Sequence, residues 1–433
     1  MNGKEVSEMI RKSKRPLRIR FAKPCDKTRW KSLLMPDGSQ GVQKWDDSDM
    51  YLPIRTYDLR SMGNHMIIPR TPDTPLRRAL TPLFKNGSIF ECEVRDVCFK
   101  GLSDPTTRSH FWKMLLRCYP FNPSKWEAAA ATNLQNYRKF LEEFILSRNR
   151  ACGKEDCVLV PSPLKRNTIR NPSDSPISAD GWSAAFGCKE IREIIWKDVE
   201  RTCSEISFFA LYNRNVLARI LFVLSQLNKG VEYVQGMNEL LAPLLFAFGQ
   251  AENPKMDCEV SMAVEADTFF AFNTLLSETR DLFIRQMDSS TVGLRGVLLR
   301  LNALMADFVP EVAQYFEKME VDPQFYAVRW MTTLFARELP MQETLRLWDA
   351  LLADPERFDM AYCVGLAIVE REKRRLVGGD FAEIMRILQD VRDSDHTGLV
   401  ENANRIRLAA LRKREGIPEV EEKGKVNFRV YCN

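Results

Sequence analysis

Two short stretches of this chain carry side chains suited to chemistry on an anion or a water. The first, Ile195-Trp-Lys-Asp198-Val-Glu-Arg201-Thr202, spaces Ile195, Asp198 and Arg201 by threes. On a helix they form an oblique stripe along which the carboxylate and the guanidinium can meet. Arginine keeps its charge at any physiological pH, and its planar fork matches phosphate oxygens. The second stretch, GVEYVQGMNEL at residues 230–240, puts Gln235 and Gly236 between two strongly helical segments. A glutamine amide both accepts and donates, so it can orient a water without titrating. Taken singly, each has an ordinary reading. The stripe is a surface ion pair worth about 0.3–0.5 kcal/mol, and the turn is a helix connection in which Gln235 is merely exposed and Gly236 relaxes the backbone.

Other chemistries find little support. The three histidines, His65, His110 and His396, lie far apart in sequence, which argues against a histidine base or a histidine-rich metal site. Cys152 and Cys157 have no second Cys or His pair nearby and read as loop thiols. Neither Gly-x-x-x-x-Gly-Lys-Ser/Thr nor Gly-x-Gly-x-x-Gly occurs, so no phosphate-cradling loop of the chain's own is expected.

These side chains need a scaffold, and 433 residues, 45% apolar, are enough for two or three domain-sized cores. The opening MNGKEVSEMIRKSKR is charged rather than apolar and the eleven cysteines are scattered, which sets the expectation of free thiols in a reducing cytosol. The longest apolar run, Leu240–Gly249, is about half a membrane span and contains Pro243, so no membrane-spanning segment is expected. Charge is uneven. Residues 1–31 hold eleven Lys or Arg against three acids, a net of +8, which leaves −3 for the rest of a chain whose formal total is +5. Such a tail could touch acidic lipid or nucleic acid; a solvated terminus is the plainer reading.

From about residue 107 the apolar spacing is helical. It predicts helices over 108–119, 125–147 and 215–229, the last closed by Gly230, and a further helix from near Asn238. Residues 148–182, rich in Pro, Ser, Asn and charge, read as a long surface loop. Residues 1–88 read as a basic, largely irregular lead segment, and Val400–Arg414 as an amphipathic helix before a charged tail. No alternating segments appear, so the fold class is all-α.

Together, thirty-four residues apart, the two stretches resemble the signatures of the TBC-domain family, GTPase-activating proteins for Rab GTPases: Ile195-x-x-Asp198-x-x-Arg201 and Tyr233-Val234-Gln235-Gly236. Further similar pieces follow in order: Arg108 and Trp112-Lys113, Leu115-Leu116 and Tyr119-Pro120, Tyr326-x-x-Arg329-Trp330, and Leu345-x-x-Trp348-Asp349. The resemblance implies a TBC domain of two helical lobes over residues 89–395, flanked by the 1–88 segment and a 396–433 helix and tail. It implies that Arg201 and Gln235 act in trans on GTP held by a GTP-loaded Rab, Arg201 neutralising phosphate charge and Gln235 positioning the attacking water. Asp198, Tyr233, Gly236 and Asn238 would support them. Trp112, Arg329, Trp330 and Trp348 read as scaffold.

On this reading the chain has no cofactor of its own, since GTP and Mg belong to the partner. It is a cytoplasmic monomer serving vesicle traffic and intracellular protein transport, without nucleic acid, and it meets membranes only through the Rab, helped by its basic N-terminus. The alternatives are a catalytically silent Rab-binding scaffold and a lipid or nucleic-acid adaptor working through residues 1–31.

Overall fold

In a computed structural model, residues 57–58, 74–84, 88–146, 179–227, 233–279, 293–355, 357–389, 391 and 398–415 are described, all within one compact unit, Ile54–Asn433. His65, His396, Cys152, Cys157, Gly230 and the basic residues 1–31 lie outside them. Extended structure among the described residues is a two-residue antiparallel pairing, β1 (Tyr57–Asp58) with β2 (Ser88–Ile89). Everything else regular is helical, as the periodicity predicts.

The first group of helices comprises α1 (Pro75–Leu80), α2 (Glu91–Phe99), α3 (Pro105–Leu115), α4 (Trp126–Leu141), α5 (Ala179–Arg201), α6 (Arg214–Leu227), α7 (Met237–Glu252) and α8 (Met262–Thr279). The second comprises α9 (Leu294–Phe308), α10 (Pro310–Lys318), α11 (Ala327–Thr333), α12 (Met341–Ala353), α13 (Arg357–Leu376), α14 (Phe381–Gln389) and α15 (Leu399–Glu415). These are the two lobes. At the centre of the first, α7 is buried on nearly every side from Met237 to Gly249, as an all-round apolar helix must be. It packs on α3, α6 and α8. In the second, α13 packs on α9, α12, α14 and α15.

Among the contacts between the lobes are those made by α12. α12 packs on α2 and α3 on one side and α13 on the other, and its Trp348 and Asp349 are fully buried. The Trp348 ring lies 5.9 Å from that of Trp112 on α3. Asp349 Oδ1 accepts from Trp112 Nε1 (2.9 Å) and Arg108 Nε (3.0 Å), while Oδ2 accepts from Leu102 N (2.8 Å) and Arg108 Nη2 (3.0 Å). Burial pushes the carboxyl upward, and the Arg108 guanidinium pulls it back. The Arg108–Trp112 and Trp348–Asp349 pieces of the sequence are therefore one buried joint.

Several expected boundaries move for local reasons. The helix expected over 108–119 stops at Leu115 because Arg117 takes φ +59°, and the Cys118 and Tyr119 amides both donate to Lys113 O. That turn delivers Tyr119 Oη to Asp267 Oδ2 at 2.8 Å, beside the Lys113 ammonium at 2.8 Å from the same oxygen. The helix from 125 to 147 is α4, ending in a π-helical turn, Glu142–Leu146. Residues 75–84, expected to be irregular, form α1 and a 3-10 turn, opened by Pro75 at the first helical position. The 148–182 loop is shortened at its end, since α5 already begins at Ala179; its earlier part lies outside the described residues. Val400–Arg414 falls within α15.

A joined helical run, Phe208–Leu227, is longer than the Leu240–Gly249 stretch and has the length and apolar content of a membrane span. It carries Arg214 and Arg219, and Val216, Leu217, Ile220, Leu221 and Leu224 are buried in the lobe, so its apolar surface is used inside the fold. The described cysteines Cys92, Cys98, Cys118, Cys203, Cys258 and Cys363 are free thiols.

Two predictions follow from this scaffold. Asp349→Ala leaves the Arg108 guanidinium without its carboxylate and two N–H groups unpaired in the core, and should cost about 3–5 kcal/mol, read as a lower urea midpoint. His110, half-buried beside Trp126 (rings 4.8 Å apart) with Nδ1 donating to Thr106 O at 2.8 Å, is held down to about 4 by burial and then by the Lys113 ammonium. Below pH 6.5 the unfolded chain binds a proton that folded His110 refuses until about pH 4. Stability from this site is full above pH 6.5 and falls toward pH 4; His110→Gln should show a smaller drop in urea midpoint across that window.

Candidate functional site

Arg201 is the last residue of α5. Upstream on the same helix Ile195 and Val199 are buried, at 1% and 0% exposure, and fix the helix against the first lobe. The helix then closes tightly: Thr202 N donates to Val199 O (3.2 Å), and Cys203 takes φ +43°. After this turn Phe208 packs edge-on against Phe209 and Phe246. Its ring sits where α7 carries Gly249, and a Cβ there would come within 2.7 Å of it. The arginine turn is thus pinned to the central helix from both sides.

The expected pair forms. Arg201 Nη2 donates to Asp198 Oδ1. The carboxylate side chain is 6% exposed and the guanidinium side chain 55%, so one partner is anchored and the other presented to solvent. A positive group at a helix C-terminus is also favoured by the helix dipole.

The glutamine turn arrives beside it. Gly236 opens α7 at φ +105°, ψ −18°, a left-handed conformation that L residues rarely adopt. The nearest atom to a Cβ there would be Thr333 Cγ2 at 3.8 Å, so the glycine is required by its backbone angle and not by crowding. Gln235 is exposed, and among the described residues its side chain has no hydrogen-bond partner. It projects from the turn, as the sequence leads one to expect.

A buried polar network runs beneath both turns. Tyr233 Oη donates to Asp198 Oδ2 at 2.7 Å, the carboxylate oxygen that Arg201 leaves free; Asn238 Oδ1 lies 3.3 Å from the same hydroxyl. Burial, and then the bond to Asp198, push the Tyr233 phenol well above its usual range, so it stays a neutral donor. Asn238, 2% exposed, accepts from Gly236 N at 3.1 Å through Oδ1 and donates through Nδ2 to Thr202 Oγ1 at 2.9 Å. Thr202 donates to Asp198 O at 2.8 Å. Asn238 therefore supports the glutamine turn and does not cap the helix, since α7 has no side-chain cap.

All six residues singled out in the sequence, Asp198, Arg201, Tyr233, Gln235, Gly236 and Asn238, meet here. Sequence reasoning missed Thr202, although its place four residues after Asp198 and next to Arg201 was visible. Trp112, Trp330 and Trp348 are fully buried, and Arg329 pairs with Glu338; all four belong to the scaffold. No cluster of three or more metal-ligating side chains occurs among the described residues.

Residues 184–377 match the model of the Rab-GTPase-TBC domain, inside the expected 89–395 span. Human TBC1 domain family member 13 is 28% identical over 396 residues, covering 75% of this chain and 96% of that protein. Mouse TBC1 domain family member 5 is 26% identical over 329 residues, 67% of this chain and 39% of that one. The crystal structure of the Ypt/Rab-GAP domain of Gyp1p shares the fold, with a TM-score of 0.61 at 19% identity over 78% of this chain and 98% of that one. With the arginine and glutamine motifs falling on adjoining turns of an all-α fold, this chain is similar to Rab-GTPase-TBC domain proteins, the match to the domain itself running over residues 184–377.

Proposed function

We propose that this protein accelerates GTP hydrolysis by a GTP-bound Rab-family GTPase, with residues 89–395 acting as the TBC domain. The observation that carries the reading is the pairing of two exposed polar side chains, Arg201 and Gln235, above one buried network that fixes both. Hydrolysis transfers the γ-phosphoryl group to water as the bridging bond to the β-phosphate breaks, and positioning and charge stabilisation dominate the barrier. Arg201 supplies fixed positive charge to the phosphate oxygens on which negative charge grows. Gln235 accepts a hydrogen bond from the attacking water through its carbonyl and donates one through its amide. Asp198 and Tyr233 hold the guanidinium, and Gly236 and Asn238 hold the glutamine turn. GTP and Mg belong to the partner. The protein works as a cytoplasmic monomer brought to membranes by the Rab, with its basic N-terminus adding attraction to acidic lipid.

Single-turnover hydrolysis with a panel of GTP-loaded Rabs tests this. One Rab should respond, with Arg201→Ala slowing its stimulated rate about 10³–10⁵-fold and Gln235→Ala about 10²-fold or more, while both variants still bind it. Binding to a Rab without stimulation would leave a silent scaffold instead. Gly236→Ala, forced to φ +105°, should lose about 1–2 kcal/mol of stability and should lower the stimulated rate without weakening Rab binding.

A further inference from the structure

The network beneath the two turns closes on itself. From the Asp198 carboxylate it passes through Tyr233 Oη to Asn238 Oδ1, from Asn238 Nδ2 to Thr202 Oγ1, and from Thr202 back to the Asp198 carbonyl. Thr202 is fully buried, at 0% exposure, so it does not face a partner's nucleotide. Its hydroxyl bonds to both the arginine helix and the residue supporting the glutamine turn, whereas the Tyr233 hydroxyl gives its single proton to Asp198 Oδ2 and lies 3.3 Å from Asn238 Oδ1. We infer that Thr202 is a positioning residue that couples the two exposed side chains, so that Arg201 and Gln235 are set as a unit and not independently. The inference rests on the proposed function for its consequence in catalysis, but its structural part stands apart from it.

The chemistry of each group makes the coupling directional. Gly236 N can only donate, so the Asn238 atom facing it must be the carbonyl oxygen. This leaves the amide nitrogen for Thr202, whose oxygen accepts from it while its own hydroxyl donates to Asp198 O. With valine in place of Thr202, volume is nearly kept but Asn238 Nδ2 loses its acceptor. The Asn238 amide is then free to rotate toward other acceptors, and doing so releases Gly236 N, the residue next to Gln235. At the other end Asp198 O loses a donor at the last turn before Arg201. A buried group left unpaired has reason to move, and small displacements of a positioned group are expensive for catalysis.

Two measurements on Thr202→Val and Thr202→Ser test this. The first is amide hydrogen exchange at Gly236, which needs no partner. Exchange should quicken in Thr202→Val while Leu244 and Leu245, inside α7, keep their protection, and Thr202→Ser, which retains the hydroxyl, should behave as the unaltered protein. Unchanged Gly236 exchange in Thr202→Val would overturn the coupling whether or not any Rab responds.

The second is single-turnover hydrolysis with the Rab that responds to the unaltered protein. Thr202→Val should lower the saturating rate about 10–100-fold with the half-saturating concentration unchanged, Thr202→Ser should restore it, and the loss should shrink when Arg201 and Gln235 are both already alanine. A loss of equal size in that double-alanine background, or a change confined to binding, would overturn the positioning role. If no Rab responds to the unaltered protein, the proposed function fails, and the exchange result decides the coupling alone.

Discussion

A buried carboxylate must be matched by donors or it costs several kcal/mol, and at Asp198 that requirement organises everything around it. Ile195 and Val199 hold its helix in the core, so the carboxylate cannot move out to water. Its two oxygens are met by the Arg201 guanidinium and the Tyr233 hydroxyl, one from its own helix and one from the chain entering α7. Two segments thirty-odd residues apart in sequence are thereby brought to one place. Burial raises the Tyr233 phenol above its usual range, so it stays a donor to Asp198. The exposed ends of the arrangement, Arg201 and Gln235, gain definition from groups that never reach solvent.

The rest of the fold makes that arrangement stiff. α7, which begins at the glutamine turn, is also the central helix of its lobe, so the turn is rooted in the best-packed element available. Phe208, resting on Gly249 of the same helix, fixes the chain leaving the arginine turn. α12 then ties this lobe to the second through Trp348 and the fully paired Asp349. Packed side chains at crystal-like density tolerate little displacement, which suits the proposed presentation of two side chains to a partner.

Helical class and several helices were legible because the apolar spacing in segments such as 215–229 is regular. The site was legible in part. Ile195-x-x-Asp198-x-x-Arg201 implies a shared helix face, and Gly236 implies a turn, so the residues could be named before their geometry was known. What could not be read is which long-range partner each polar side chain meets. Asp349 gives no local sign that it accepts from Arg108 and Trp112, and Thr202 looks like any residue after a helix end. The helix ends at Leu115 and at α1 were misjudged for the same reason: Arg117 leaves the helical region so that Tyr119 can reach Asp267, a tertiary demand overriding local periodicity.

The central claim is that Arg201 and Gln235 are the groups presented to the reacting phosphate and water. The most direct test is a structure of this protein bound to a Rab holding GDP and aluminium fluoride, a mimic of the transferring phosphoryl group. The account predicts the Arg201 guanidinium and the Gln235 amide against the fluoride ligands and the in-line water, with the Asp198, Tyr233, Asn238 and Thr202 bonds unbroken beneath them. A complex in which the Rab's own glutamine holds that water, and Gln235 faces elsewhere, would contradict it.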